Sequence, residues 1–148
     1  MPRLSASARF VDDYLLSLLA RASHQASRQF HAKVRAAGLR VPEWRVLASL
    51  DDGPMTIGEL ADITLIQQPT LTKLVDRMEG NGLVRRQRDT DDRRRVVVAA
   101  TESGQGAVAG LLEVARAHEA AVLAGYDRDE AMALKLALRT LIRRTGEV

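Results

Sequence analysis

The chain has 148 residues, 46% of them hydrophobic but only 3% aromatic, and carries 22 basic against 19 acidic residues, a mild net charge of +3. That is room for one domain, or two tightly joined ones, around an aliphatic core of the kind that suits helix-on-helix packing. The absence of cysteine excludes disulfides, thiolate metal sites and cysteine redox switches; no apolar run approaches the ~20 residues of a membrane span, and without a signal-peptide pattern the expected compartment is the cytoplasm.

From about Ala8 to Ala37, Val11, Leu15, Leu18, Ala22, Ala26, Phe30 and Val34 keep a helical period with no proline inside. Such a helix extends ~45 Å. It is too long to bury its stripe within so small a domain, so part of Phe10 to Leu19 is expected to meet another subunit. Gly38 stops it. Pro42 opens a second helix with Trp44, Val46, Leu47 and Leu50 as its apolar residues, ended by Asp51-Asp52-Gly53-Pro54. Trp44 could offer a stacking platform to a ligand, but core packing is the commoner use of such a residue.

Thr56 caps a third, short helix that ends near Asp62, with Glu59 completing a capping box. A fourth runs from Gln68 to Gly80, because Leu71, Leu74, Val75 and Met78 fall on one stripe and Pro69 sits in the first turn, where a missing N–H does no harm. Its opposite face presents Pro69, Thr70, Thr72, Lys73, Asp76 and Arg77. Gly80-Asn81-Gly82 closes it. Two strands follow, Leu83 to Arg88 and Val96 to Ala100, around the polar tip Asp89 to Arg95. From Arg85 to Arg95 there are six arginines against three aspartates, a concentration of positive charge that suits a phosphate-facing surface. A solvated hairpin with internally paired charges is the bland alternative.

Thr101 caps a helix carrying Val108, Leu111, Leu112, Ala115 and Val122 to about Gly125, although Gly104, Gly106 and Gly110 each weaken it by roughly 1 kcal/mol when interior. Close backbone approach or simple looseness would account for them. A last helix begins at the Asp127–Glu130 capping box and carries Leu134, Leu138, Leu141 and Ile142. The predicted fold is therefore mainly α: a winged helix-turn-helix with a two-stranded β-hairpin wing over 41–101, and a helical dimerisation region built from both chain ends, 1–40 and 102–148.

The runs TIGELADIT, PTLTKLVDRMEGNGLVRR and DTDDRRRVVVAATESG resemble the MarR family of bacterial transcriptional regulators, including the DRR of the wing at Asp92, Arg93 and Arg94. The helix-turn-helix half is shared with many winged-helix proteins; the wing motif at this distance from the recognition helix is much more specific. The resemblance covers nearly the whole chain. It implies a homodimeric repressor on a pseudo-palindromic operator, and a small-molecule effector, often aromatic or phenolic, between the dimer region and the DNA-reading lobe. Peroxide sensing through a cysteine, known in some relatives, is excluded here.

In that reading double-stranded DNA is the partner, and Gln68, Pro69, Thr70, Thr72 and Lys73 lie at the front of the recognition helix, within reach of base edges and phosphates. Arg77, a turn further on, contacts phosphate or pairs with Asp92. Arg93, Arg94 and Arg95 offer a minor-groove contact, which family pattern assigns to Arg94, with Asp92 orienting the wing. Three consecutive arginines depart from the family pattern and leave open which one inserts. No catalytic constellation, cofactor fingerprint or metal spacing is legible: His24 and His31 are two turns apart on one helix, too far for a chelating pair. An enzyme is not expected. The rival reading is a winged-helix module that binds protein and not DNA.

Overall fold

The computed structural model describes residues 9–147. Its elements are α1 (Phe10–Asp13), α2 (Leu15–Ala36), α3 (Val41–Ser49), α4 (Ile57–Thr64), α5 (Gln68–Gly80), β1 (Val84–Arg88), β2 (Val96–Ala100), α6 (Glu102–Val122) and α7 (Arg128–Gly146). Ala8, the expected start of the first helix, lies outside the described residues, as do the outermost ends of the two expected dimerisation segments. Packing divides the chain into two compact units, one ending at Val114 and the other beginning at Ala115.

The first expected helix is interrupted. Tyr14 is extended, with φ −80° and ψ 120°, and separates the single turn of α1 from α2. Phe10 and Tyr14 stack with ring centroids 4.8 Å apart, and Arg21 reaches back to Asp12 at 3.4 Å. Both contacts are local and solvent-exposed, and neither leaves a pattern in helical periodicity. Further along, α2 turns Phe30 and Val34 into the core, where the Phe30 ring meets Trp44 edge-on at 4.9 Å. Trp44 thus serves packing. At the helix end Gly38, at φ +85°, lets the Leu39 N–H reach back to the Val34 carbonyl at 3.3 Å.

The core of this unit is aliphatic, with Val34, Val46, Leu47, Leu60, Leu71, Val75, Met78, Val84, Val98 and Val108 fully buried. The capping box of α4 is present: Thr56 Oγ1 accepts the Glu59 N–H at 3.1 Å and Glu59 Oε2 accepts the Thr56 N–H at 2.8 Å. That helix runs to Thr64, beyond the expected end near Asp62: the Leu65 N–H closes on the Ala61 carbonyl at 3.0 Å, and the buried Thr64 hydroxyl donates to the Leu60 carbonyl. The stripe of Leu71, Leu74, Val75 and Met78 is buried as its spacing predicts. α5 ends at Gly80, and Gly82 at φ +75° allows the Leu83 N–H to reach the Met78 carbonyl at 2.9 Å.

The strands pair antiparallel from Val84↔Ala100 to Arg88↔Val96. Met55 bridges to Val98 on the other side through N–H···O contacts of 3.0 and 2.7 Å, so the chain entering α4 is tied to the base of the hairpin. Behind the strands, Thr101 Oγ1 accepts the Gly104 N–H and donates to the Gly82 carbonyl. A Cβ on Gly104 would collide with the Leu83 carbonyl and press on Leu47 Cδ2. Close approach therefore explains Gly104; among the described residues no neighbour stands where a Cβ on Gly106 or Gly110 would go.

In the second unit, Asp127 and Glu130 exchange the two hydrogen bonds of the predicted capping box at 2.8 and 2.9 Å. Lys135 pairs with Glu119. No described residue of α7 is buried, and Met132, Leu134, Leu136, Leu138 and Ile142 are exposed apolar side chains. Among the described residues no helix is long and apolar enough to cross a membrane.

Candidate nucleic-acid interface

Burying Leu71 and Val75 turns the opposite side of α5 outward, and every predicted contact on it is exposed: Gln68, Pro69, Thr70, Thr72, Lys73 and Arg77. Charge is segregated across this face. On one flank Asp76 and Glu79 are held by a single arginine of β1: Arg86 Nη2 donates to Asp76 Oδ1 at 2.6 Å and Nη1 to Glu79 Oε1 at 2.9 Å. Glu79 Oε2 also accepts the Arg86 backbone N–H at 2.7 Å. Lys73 and Arg77 stand on the other flank. The clamp sets one positive charge against these two carboxylates and fixes the helix to the hairpin. Sequence reading missed Arg86, because its role depends on which face of β1 meets which flank of α5.

The wing tip is ordered from within. Asp89 donates its N–H to the Arg95 carbonyl at 2.9 Å, Arg95 donates its own to the Asp92 carbonyl at 3.0 Å, and Arg88 Nη1 donates to the Arg93 carbonyl at 2.9 Å. Asp92 Oδ1 accepts both the backbone N–H and the Nε of Arg94, at 3.1 and 3.2 Å. The Asp92 carboxylate is thus hydrogen-bonded to Arg94, and the pairing of Arg77 with Asp92 that the spacing allowed is not made. A carboxylate two residues from Arg94 on the same turn is simply the nearer partner.

The three consecutive arginines are not equivalent. Arg94 projects from the tip with its side chain 93% exposed. Arg93 is exposed beside it. Arg95 turns back toward the body, donating to Glu59 Oε1 at 2.9 Å and lying 3.6 Å from Asp89 Oδ2. The Thr56 N–H holds the Glu59 carboxyl below its ordinary range, and Arg95 pulls it further the same way against the opposing effect of desolvation.

Two concave features carry basic side chains. A cleft of about 520 Å³ flanks α5, with Arg40 and Pro42 on its far side. A groove of about 660 Å³ runs along α2, where His24, Arg28, His31, Arg35 and Arg45 supply basic groups and Ser23 and Ser27 small polar ones. Burial lowers the His31 pKa, and the charges of Arg45, Arg35 and His24 lower it further, which leaves the imidazole neutral at pH 7.

Comparison with known proteins gives one consistent result. The MarR family model matches residues 37–95, the stretch holding α3, the helix-turn-helix and most of the wing. The homoprotocatechuate degradative operon repressor of Escherichia coli is 33% identical over 94 residues, covering 63% of this chain; the match spans 64% of the length of that repressor. The crystal structure of the MarR family transcriptional regulator SPO1453 from Silicibacter pomeroyi DSS-3 superposes with a TM-score of 0.83 at 45% identity, covering 93% of this chain and 99% of that one. NadR, solved in complex with 4-hydroxyphenylacetate, superposes with a TM-score of 0.77 at 26% identity over 96% of this chain and 98% of that one.

Proposed function

The chain belongs to the MarR family of transcriptional regulators, and on that premise we propose that it is a cytoplasmic, sequence-specific DNA-binding repressor and not an enzyme. The observation that carries this reading is the outward face of α5, cleared of large apolar residues and with both its acids paired to Arg86, beside a wing whose tip projects Arg94. Thr70, Thr72, Lys73 and Gln68 meet base edges and phosphates in the major groove while Pro69 shapes the helix entry; Arg77 holds phosphate; Arg93 and Arg94 serve the adjacent minor groove. Arg95 contributes charge at the wing base and positions the hairpin through Glu59.

The active species is a homodimer, assembled through the apolar residues left exposed on α1, α2 and α7, among them Phe10, Leu15, Leu16, Leu136 and Ile142. The chain ends 1–40 and 102–148 form the dimerisation region and 41–101 the DNA-reading lobe. Two-fold symmetry calls for two half-sites about one helical turn apart.

The effector is a small aromatic or phenolic acid, by likeness to NadR with its bound 4-hydroxyphenylacetate. The basic groove along α2 is chemically suited to a carboxylate. Genomic fragments retained by the purified protein test the reading: they should share an inverted repeat protected as two half-sites. Retention without any common sequence would contradict a sequence-specific regulator.

A further inference from the structure

Leu65 is the C-cap of α4, in the turn before α5, and its backbone is left-handed at φ 60° and ψ 27°. Among the described residues no other side-chain-bearing residue has a positive φ. L residues avoid that region, and turns that need it ordinarily use glycine or asparagine. Here a leucine occupies it and is 87% exposed, so neither backbone preference nor burial accounts for the residue. Strain and solvent-facing apolar surface together point to a contact outside the chain.

Leu65 lines the cleft of about 520 Å³ on the flank of α5 away from the Arg86 clamp. Pro42, Leu65 and Leu74 supply apolar wall, Arg40, Lys73 and Arg77 supply positive charge, and no carboxylate lines it. A DNA strand has the complementary pattern, an anion alternating with an apolar deoxyribose. The cleft is also continuous with the outward face of α5, sharing Thr70, Lys73 and Arg77 with it. We propose that this cleft seats the sugar-phosphate backbone of one DNA strand, with Arg40 donating to a phosphate and Leu65 packed on the neighbouring deoxyribose.

The proposal rests on the DNA-binding reading and adds two residues from outside the recognition helix. It assigns them opposite physics. Arg40 neutralises a phosphate and releases a counterion, so it acts on every duplex and on the salt dependence. Leu65 contributes apolar contact alone.

Full-length Arg40→Ala and Leu65→Asn proteins, titrated by anisotropy against a retained genomic fragment and a random duplex of equal length over a range of salt, decide the matter. Arg40 is exposed and its backbone N–H still caps onto Glu43, so the alanine variant keeps the fold; asparagine tolerates the Leu65 backbone. The melting temperature of each should not fall.

Arg40→Ala should weaken both duplexes by roughly tenfold per cleft and reduce the log–log salt slope by roughly 0.9 for each cleft engaged. Leu65→Asn should weaken both severalfold with the slope unchanged. Wild-type binding matched by both variants in affinity and slope would overturn the proposal and leave the DNA reading standing. A wild-type protein that binds no duplex would remove that reading and this one together. Benzoate binding lost in Arg40→Ala, with duplex affinity intact, would give the cleft to a small carboxylate instead and overturn it as well.

Discussion

Glu59 and Arg95 stand 36 residues apart in the chain, yet the Arg95 guanidinium donates to Glu59 Oε1 at 2.9 Å while Oε2 of the same carboxylate caps α4 through the Thr56 N–H. One side chain therefore both starts the helix-turn-helix and latches the wing to it. The charge on Glu59 carries both contacts.

That charge has a pH signature. The folded-state pKa of Glu59 is depressed, first by the Thr56 N–H and then by Arg95. Its contribution is therefore present at neutral pH and is lost as pH falls through the folded-state value. Glu59→Gln should melt below wild type at pH 7, and the gap should begin to narrow below the ordinary glutamate value of about 4.3 and close only once the pH is below the lower folded-state value. Melting curves of both proteins from neutral to acid pH check this; a gap that stays constant would assign the effect to shape and not to charge.

Arg94→Ala should cost affinity chiefly on operators with A·T-rich outer flanks, where a narrow minor groove concentrates negative potential. Stability should be nearly unchanged, because the side chain is 93% exposed. Arg95→Ala should act differently, loosening the hairpin and weakening A·T- and G·C-flanked operators alike. Asp92→Ala should share part of the Arg94→Ala defect, since it removes the acceptor of the Arg94 Nε. Parallel titrations on the two flank types give the comparison, and identical losses from Arg94→Ala on both would remove its minor-groove role.

Removing Arg86 should harm DNA binding twice over. Arg86→Ala uncovers the carboxylates of Asp76 and Glu79 on a surface that faces phosphates, and it frees α5 from β1. Affinity for all duplexes should fall, and adding Asp76→Asn should recover part of the loss by removing one of the two repulsive charges. Absence of any recovery would make the role of Arg86 positional alone.

The local chemistry of this fold was legible in the residues. Thr56 with Glu59 and Asp127 with Glu130 are capping boxes whose partners lie three residues away, and the Leu71, Leu74, Val75, Met78 stripe needs only helical period to be seen. What escaped depends on distant pairing or on backbone conformation. The Glu59–Arg95 and Arg86–Asp76 contacts exist only once the hairpin has docked. The break at Tyr14 follows no proline or glycine, and the left-handed Leu65 has a residue type that gives no sign of it. The glycines of α6 were ambiguous because only tertiary contact separates Gly104, pressed against Leu83, from Gly106.

Gly104→Ala tests that last distinction. The added methyl meets a backbone carbonyl, which cannot rotate away as a side chain can, so stability should fall by about 1–3 kcal/mol. Gly106→Ala, placed in open space within the same helix, should instead stabilise by up to about 1 kcal/mol. Denaturant melts of the two variants should move in opposite directions.

Whether this surface binds duplex DNA through its phosphates is read most directly from the salt dependence of affinity for a retained genomic fragment. With Lys73, Arg77 and the wing arginines engaged on both subunits, log affinity should fall linearly with log salt at roughly 0.9 per phosphate neutralised, giving a slope of several units. A flat response would rule out phosphate contact and favour a winged-helix module whose partner is another protein.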